Sequence, residues 1–200
     1  MTQTNKKKIL FLTEGDSDKP LFQMLLVDYP SKDFLHTAGI DRLPFHTEVQ
    51  KRITEDKPDL IIYLVDADYK FINNGGYQAR LRLLSDLQIK YPVLRGVIIS
   101  PKQNSDGVLE DILLETVCNN PNHFTITCFD QMQYLRECQQ LNQVSSHYRK
   151  LLLYYFTGCF NKDSQKTVWG NSKELLTAFI THSPRLQEIK TEIENIIQSL

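Results

Sequence analysis

The chain has 200 residues, 41% of them hydrophobic and 10% aromatic, which is enough for a packed core and excludes a wholly disordered chain. Its 23 basic and 24 acidic residues nearly cancel, excluding a global positive field that would draw it onto nucleic acid or an anionic membrane, so a phosphate partner has to be recognised locally. No apolar run approaches the roughly 20 residues of a spanning helix, and Met1 to Lys8 lacks the hydrophobic region of a signal peptide, so a cytoplasmic protein with no membrane partner is expected.

Lys8 to Thr13 reads as a buried strand, followed at once by a helix that Asp16 or Ser17 caps and that carries Leu21, Phe22, Leu25 and Leu26 on one side. Phe34 to Thr37 is a weaker strand, and Phe45 to Glu55 has helical spacing. Lys57-Pro58 breaks into Asp59 to Val65, the clearest strand in the chain, which ends in Asp66-Ala67-Asp68. A loop at Asn73 to Gly76, a helix from Tyr77 to Ile89, a strand from Arg95 to Ser100 and a helix starting near Gly107 complete the alternation. Such alternation predicts a parallel sheet covered by helices on both faces.

The second half reads differently. A last short strand is expected at Thr125 to Cys128, then helices from about Phe129 with loops at Gly158 to Gly170 and near Pro184. Three apolar stripes mark these helices: Tyr148 to Phe156, Leu175 to Ile180 and Leu186 to Leu200. The domain reading is an α/β core over 1–120 and a mainly helical C-terminal extension over 121–200, packed on the core. Cys118, Cys128, Cys138 and Cys159 form no C-x-x-C pair and are read as buried thiols, and the five histidines lack metal-ligand spacing.

In an open parallel sheet the functional crevice lies beyond the carboxyl ends of the strands. Three of those ends carry acids here: Glu14 in Glu14-Gly15-Asp16-Ser17-Asp18, Asp66 and Asp68 after the central strand, and Asp106, Glu110 and Asp111 after the strand ending at Ser100. Each one alone is explained by capping of the next helix. Converging on one edge, they would repel one another and raise their own pKa values, a cost that bound Mg²⁺ or Mn²⁺ relieves.

Glu14-Gly15-x-x-Asp18 followed by Asp66-x-Asp68 resembles the signature of the toprim superfamily. Pro101 with Asp106-Gly107-Val108-Leu109-Glu110-Asp111 is similar to a third element of a small uncharacterised toprim-like family, itself distantly similar to the overcoming-lysogenization-defect nucleases. The resemblance spans roughly residues 8 to 120. It implies a toprim (Rossmann-like) α/β fold, with Glu14 as general acid/base or metal ligand and Asp66 and Asp68 as the principal ligands. Gly15 would permit the turn after the strand. Glu110 and Asp111 are candidates for a second metal, or else a capping face of their helix. Lys102 is a candidate phosphate-steadying catalytic residue, or an exposed lysine. Lys70 stands where topoisomerases and many primases of the superfamily carry a third aspartate, and there is no primase zinc ribbon and no dinucleotide glycine motif.

Two functional expectations follow. One is a Mg²⁺- or Mn²⁺-dependent phosphoryl-transfer enzyme, a nuclease acting on DNA or RNA. The other is a non-catalytic toprim-fold binding module for nucleic acid or a protein partner, with Arg80, Arg82, Arg95, Lys102, Arg149 and Lys150 as the residues of any basic groove. The oligomeric state is left open.

Overall fold

The computed structural model describes residues 7–16, 18–70, 74–120 and 173–199. In chain order the elements are β1 (Ile9–Thr13), α1 (Lys19–Leu25), β2 (Phe34–His36), α2 (Thr47–Asp56), β3 (Leu60–Asp66), α3 (Tyr77–Lys90), β4 (Leu94–Ile99), α4 (Leu109–Asn119), α5 (Lys173–His182) and α6 (Pro184–Gln198). The expected strand at Thr125 to Cys128, the helix stripe at Tyr148 to Phe156, the loop at Gly158 to Gly170, and Arg149 and Lys150 lie outside the described residues.

The four strands form one parallel sheet in the order β2-β1-β3-β4. Side chains alternate across a strand, and the alternation divides the interior into two layers. Ile9 and Phe11 of β1, Leu60, Ile62 and Leu64 of β3, and Val97 and Ile99 of β4 face one layer. Leu10 and Leu12, Ile61, Tyr63 and Val65, and Leu94 and Ile98 face the other. Both faces of the strands are buried, which explains why β1 and β3 read as unbroken apolar runs rather than as alternating ones.

The first layer is filled by Leu21, Phe22 and Leu25 of α1, Leu109, Ile112 and Leu113 of α4, Leu176 and Phe179 of α5, and Leu186, Ile189 and Ile193 of α6. Phe11 stacks on Phe34 with ring centroids 4.6 Å apart. The second layer takes Val49 from α2 and Leu84 from α3, with Ile40 and Leu43 from a 3-10 turn at Ile40–Phe45. This is a Rossmann-like α/β arrangement with a helical C-terminal segment, of which the described helices α5 and α6 pack on one face of the sheet. Among the described residues no helix is long and apolar enough to cross a membrane.

Two local readings differ from the periodicity. The helical pattern from Phe45 divides, because Pro44 and Phe45 belong to the 3-10 turn and α2 starts at Thr47, where His46 Nδ1 accepts the Val49 N–H at 3.4 Å. At α1 the residue before the helix is Asp18, whose carboxylate turns back to accept the Gly15 N–H at 3.1 Å instead of capping the helix.

Gly96 explains how α3 sits on the sheet. A Cβ there would lie 2.4 Å from Leu84 Cδ1, so α3 rests directly on the β4 backbone. Arg80 is one helical turn before Leu84 on the same buried stripe, which carries it toward the carboxyl edge of the sheet, where α3 begins.

Candidate functional site

Strand order reverses between β1 and β3: β2 lies to one side of β1, while β3 and β4 lie to the other. A crevice at the carboxyl end of such a switch point is the general ligand position of open α/β sheets. Glu14 is the first residue after β1 and Asp66 is the last of β3, so the two acids stand on either side of this switch point.

Glu14 is held as a bridge. Its Oε1 accepts the Ile40 N–H at 2.9 Å and its Oε2 accepts the Asp66 N–H at 2.9 Å. The carboxylate therefore ties the end of β1 both to the turn after β2 and to the end of β3. Burial raises its pKa above the ordinary value, with Arg80 opposing, the Ile40 N–H opposing further and the Asp68 carboxylate adding to the rise.

Asp66 Oδ1 accepts the Leu109 N–H at 3.0 Å, at the first residue of α4. A helix N-terminus favours a carboxylate. Burial nevertheless pushes the Asp66 pKa well up, followed by the charges of Asp18, Glu110, Glu14 and Asp68. These five carboxyl groups thus form one electrostatic cluster, drawn from the ends of β1 and β3 and the starts of α1 and α4. Its proton is held more tightly than that of an exposed aspartic acid.

Asp68 adopts a left-handed backbone conformation, φ 57°. An aspartate tolerates it better than most residues, at a cost of about 1–2 kcal/mol. The turn presents the Asp68 carbonyl to the Gly107 N–H at 2.8 Å. Gly107 itself has φ 138°, and a Cβ there would meet Pro101 Cδ at 2.6 Å and Asp111 Oδ2 at 2.8 Å, so only glycine fits. The motifs after β3 and β4 are in this way stitched together by backbone bonds.

Arg80 is the cation of the site. Its guanidinium donates to Asp68 Oδ2 and lies 3.8 Å from Glu14 Oε1, with its side chain only 8% exposed. Burial works against its charge, and Glu14 and Asp68 outweigh burial, raising its pKa. Among the described residues its buried Nε has no hydrogen-bond partner. Sequence reasoning placed Arg80 with residues of a basic groove. A charged residue on the otherwise apolar stripe of Arg80, Leu84 and Leu87 was the available sign that it turns inward.

The remaining expected residues divide. Glu110, in the first turn of α4, is buried at 6% exposure and belongs to the cluster around Asp66. Asp111, next to it, faces elsewhere: its Oδ2 accepts the Val108 N–H at 2.9 Å and the Tyr69 hydroxyl at 2.5 Å, closing the start of α4. Asp106 Oδ1 accepts the Tyr77 N–H at 2.9 Å, capping α3, and its other oxygen lies 3.7 Å from Lys70 Nζ. Gly15 is pinned through its N–H to Asp18. The Lys102 side chain is exposed, and its backbone N–H and carbonyl form a turn with Ser105.

The donor chemistry of the cluster, all carboxylate oxygen, with the Glu14 and Asp66 pKa values raised first by burial and then by neighbouring acids, fits a hard divalent cation. Asp66, Asp68, Glu14 and Glu110 are the residues that would hold it. In the conformation described, among the described residues no three His, Cys, Asp or Glu side chains converge at ligating distance, and Arg80 spans two of the four acids.

No family model matches the chain, and no curated protein matches it. Among solved structures it is similar to the C-terminal region of the Burkholderia pseudomallei OLD protein, at 15% identity and a TM-score of 0.41. The alignment covers 94% of this chain and 99% of that one.

Proposed function

We propose that the chain is a metal-dependent phosphoryl-transfer enzyme of toprim type, a nuclease that acts on nucleic acid with Mg²⁺ or Mn²⁺. One observation carries the reading: the hydrogen bond from the Asp66 N–H to Glu14 across the switch point, inside a cluster of five acids in which burial, and then the charges of the other four, raise the Asp66 pKa. Capping alone would not gather acids from four elements against their own repulsion.

When bound, the ion supplies charge neutralisation at phosphate oxygens and a more acidic water. Asp66 and Asp68 would anchor it, oriented by the Leu109 N–H and by the left-handed turn respectively. Glu14, its pKa raised by burial, is suited to take up and return a proton, and its two backbone N–H bonds fix the orientation of its carboxylate. Glu110 extends the acid set toward a second position, while Asp111 and Asp106 hold the frame.

The test is cleavage of single- and double-stranded DNA and RNA with Mn²⁺ or Mg²⁺ by wild-type protein, Asp68→Asn and Glu110→Gln. Asp68→Asn should lose at least about a hundredfold. A one-metal site tolerates Glu110→Gln and a two-metal site does not. Substrates left intact at high protein concentration would favour the binding-module reading, which the Arg80 bridge across Glu14 and Asp68 supports.

A further inference from the structure

We infer that Arg80 is the resident counter-cation of the acid cluster, holding Glu14 and Asp68 in the place of a divalent ion, so that metal binding requires its guanidinium to leave Asp68. The inference rests on the metal-dependent reading above and adds a control to it. Three observations carry it. Arg80 makes contact with both Glu14 and Asp68, two of the four acids that would hold the ion. Its side chain is almost fully buried, so its charge is aimed at the cluster rather than at solvent. Its Nε is buried with no hydrogen-bond partner among the described residues, so the guanidinium is incompletely satisfied where it rests. A five-donor guanidinium built in for structure alone would be expected to place that donor on an acceptor.

The consequences are electrostatic. A guanidinium contributes one positive charge and a divalent ion two, and a bound ion would compete with Arg80 for the Asp68 carboxylate. With Arg80 in place the apo cluster is partly neutralised, and the metal affinity of the free protein is lowered by the interaction that must first be broken. Arg80 is in this sense a positioning residue: it acts on metal binding through Asp68 and Glu14.

The experiment is calorimetric titration of the full chain with Mn²⁺ alone, comparing wild type, Arg80→Met, Arg80→Lys and, as a control for general charge, Arg82→Met. Arg82 lies on the same helix but is exposed. Arg80→Met should bind Mn²⁺ at least about tenfold more tightly than wild type, Arg80→Lys should fall between, and Arg82→Met should change affinity by less than about twofold. Should Arg80→Met fail to fold, the wild-type protein decides: saturating Mg²⁺ should shift the Arg80 guanidinium resonances in a nitrogen-15 NMR spectrum. Unchanged Mn²⁺ affinity in a folded Arg80→Met, or guanidinium resonances unmoved by Mg²⁺ that demonstrably binds, overturns this inference and leaves the metal-dependent reading standing. Absence of Mn²⁺ and Mg²⁺ binding in wild type and all variants overturns both.

Discussion

Asp66→Asn should stabilise the metal-free protein at neutral pH. The substitution keeps an oxygen to accept the Leu109 N–H and removes one charge from a group of five acids that has Arg80 as its close cation. Like charges about 7 Å apart at an effective dielectric constant near 20 repel by about 2 kcal/mol per pair. Screening and relaxation leave an expected gain of about 1–3 kcal/mol, or roughly 2–4 °C of Tm per kcal/mol for a chain of this size. The pH dependence follows from the raised folded-state pKa of Asp66. Above that pKa the group is ionised in both states and the folded protein carries the full repulsion. As pH falls below it, the folded protein takes up the proton first and gains stability, and the gain is complete below the unfolded value of 3.8. Glu14, raised above 4.5, acts in the same direction. The advantage of Asp66→Asn over wild type should therefore be largest at pH 7–8 and vanish by about pH 4, measured as ΔTm in chelator-treated buffer. A variant less stable than wild type at pH 7.5, or a difference constant from pH 4 to pH 8, would refute the charge-cluster argument. Adding Mn²⁺ should reverse the order, raising the Tm of wild type and not of Asp66→Asn.

Glu14→Gln should lose Mn²⁺-dependent cleavage by at least about a hundredfold and also destabilise the fold by about 1–3 kcal/mol, because its amide NH₂ must face either the Ile40 or the Asp66 N–H. Urea denaturation beside the activity assay separates the two effects. Tyr63→Phe removes the 2.5 Å bond between the Tyr63 hydroxyl and Thr37 in the second layer, and urea midpoints should report a loss of about 1–2 kcal/mol with Mn²⁺ affinity unchanged. Gly96→Ala drives a methyl group into Leu84 and should cost about 1–3 kcal/mol by thermal denaturation. Because Arg80 shares that helix, the same variant should also shift Mn²⁺ affinity.

The sheet was legible because its strands are buried on both faces: a run such as Leu60 to Val65 has no other economical reading once Pro58 stops the preceding helix. The acids at the strand ends were legible for the related reason that strand polarity puts successive carboxyl ends on one edge. The chemistry of single side chains was less so. Asp106 and Asp111 stand in the same short stretch as Glu110, yet the first two close helix ends and the third is buried in the cluster, a distinction made by which way α4 starts after Gly107. Asp18 turning back to Gly15, and Arg80 turning inward, depend on side-chain direction across elements far apart in sequence. The same holds for the 3-10 turn at Ile40–Phe45, which is long enough to mimic the first turn of α2.

The seating of α6 has a consequence for how the molecule is made. Leu186, Ile189 and Ile193 are fully buried in the layer that also holds Ile9, Phe11, Val97 and Ile99, so part of this layer's cover comes from a helix far along the chain from its strands. That face of the sheet, which α1 and α4 already cover in part, lacks the remainder of this cover on the ribosome until residues 173–199 have emerged, however early its strands pair. A nascent chain arrested before that point carries an apolar sheet surface, the kind of surface chaperones bind. A stop codon introduced ahead of α5 should accordingly yield an insoluble or chaperone-bound product rather than a shorter folded chain, even though every residue of the acid cluster would be present.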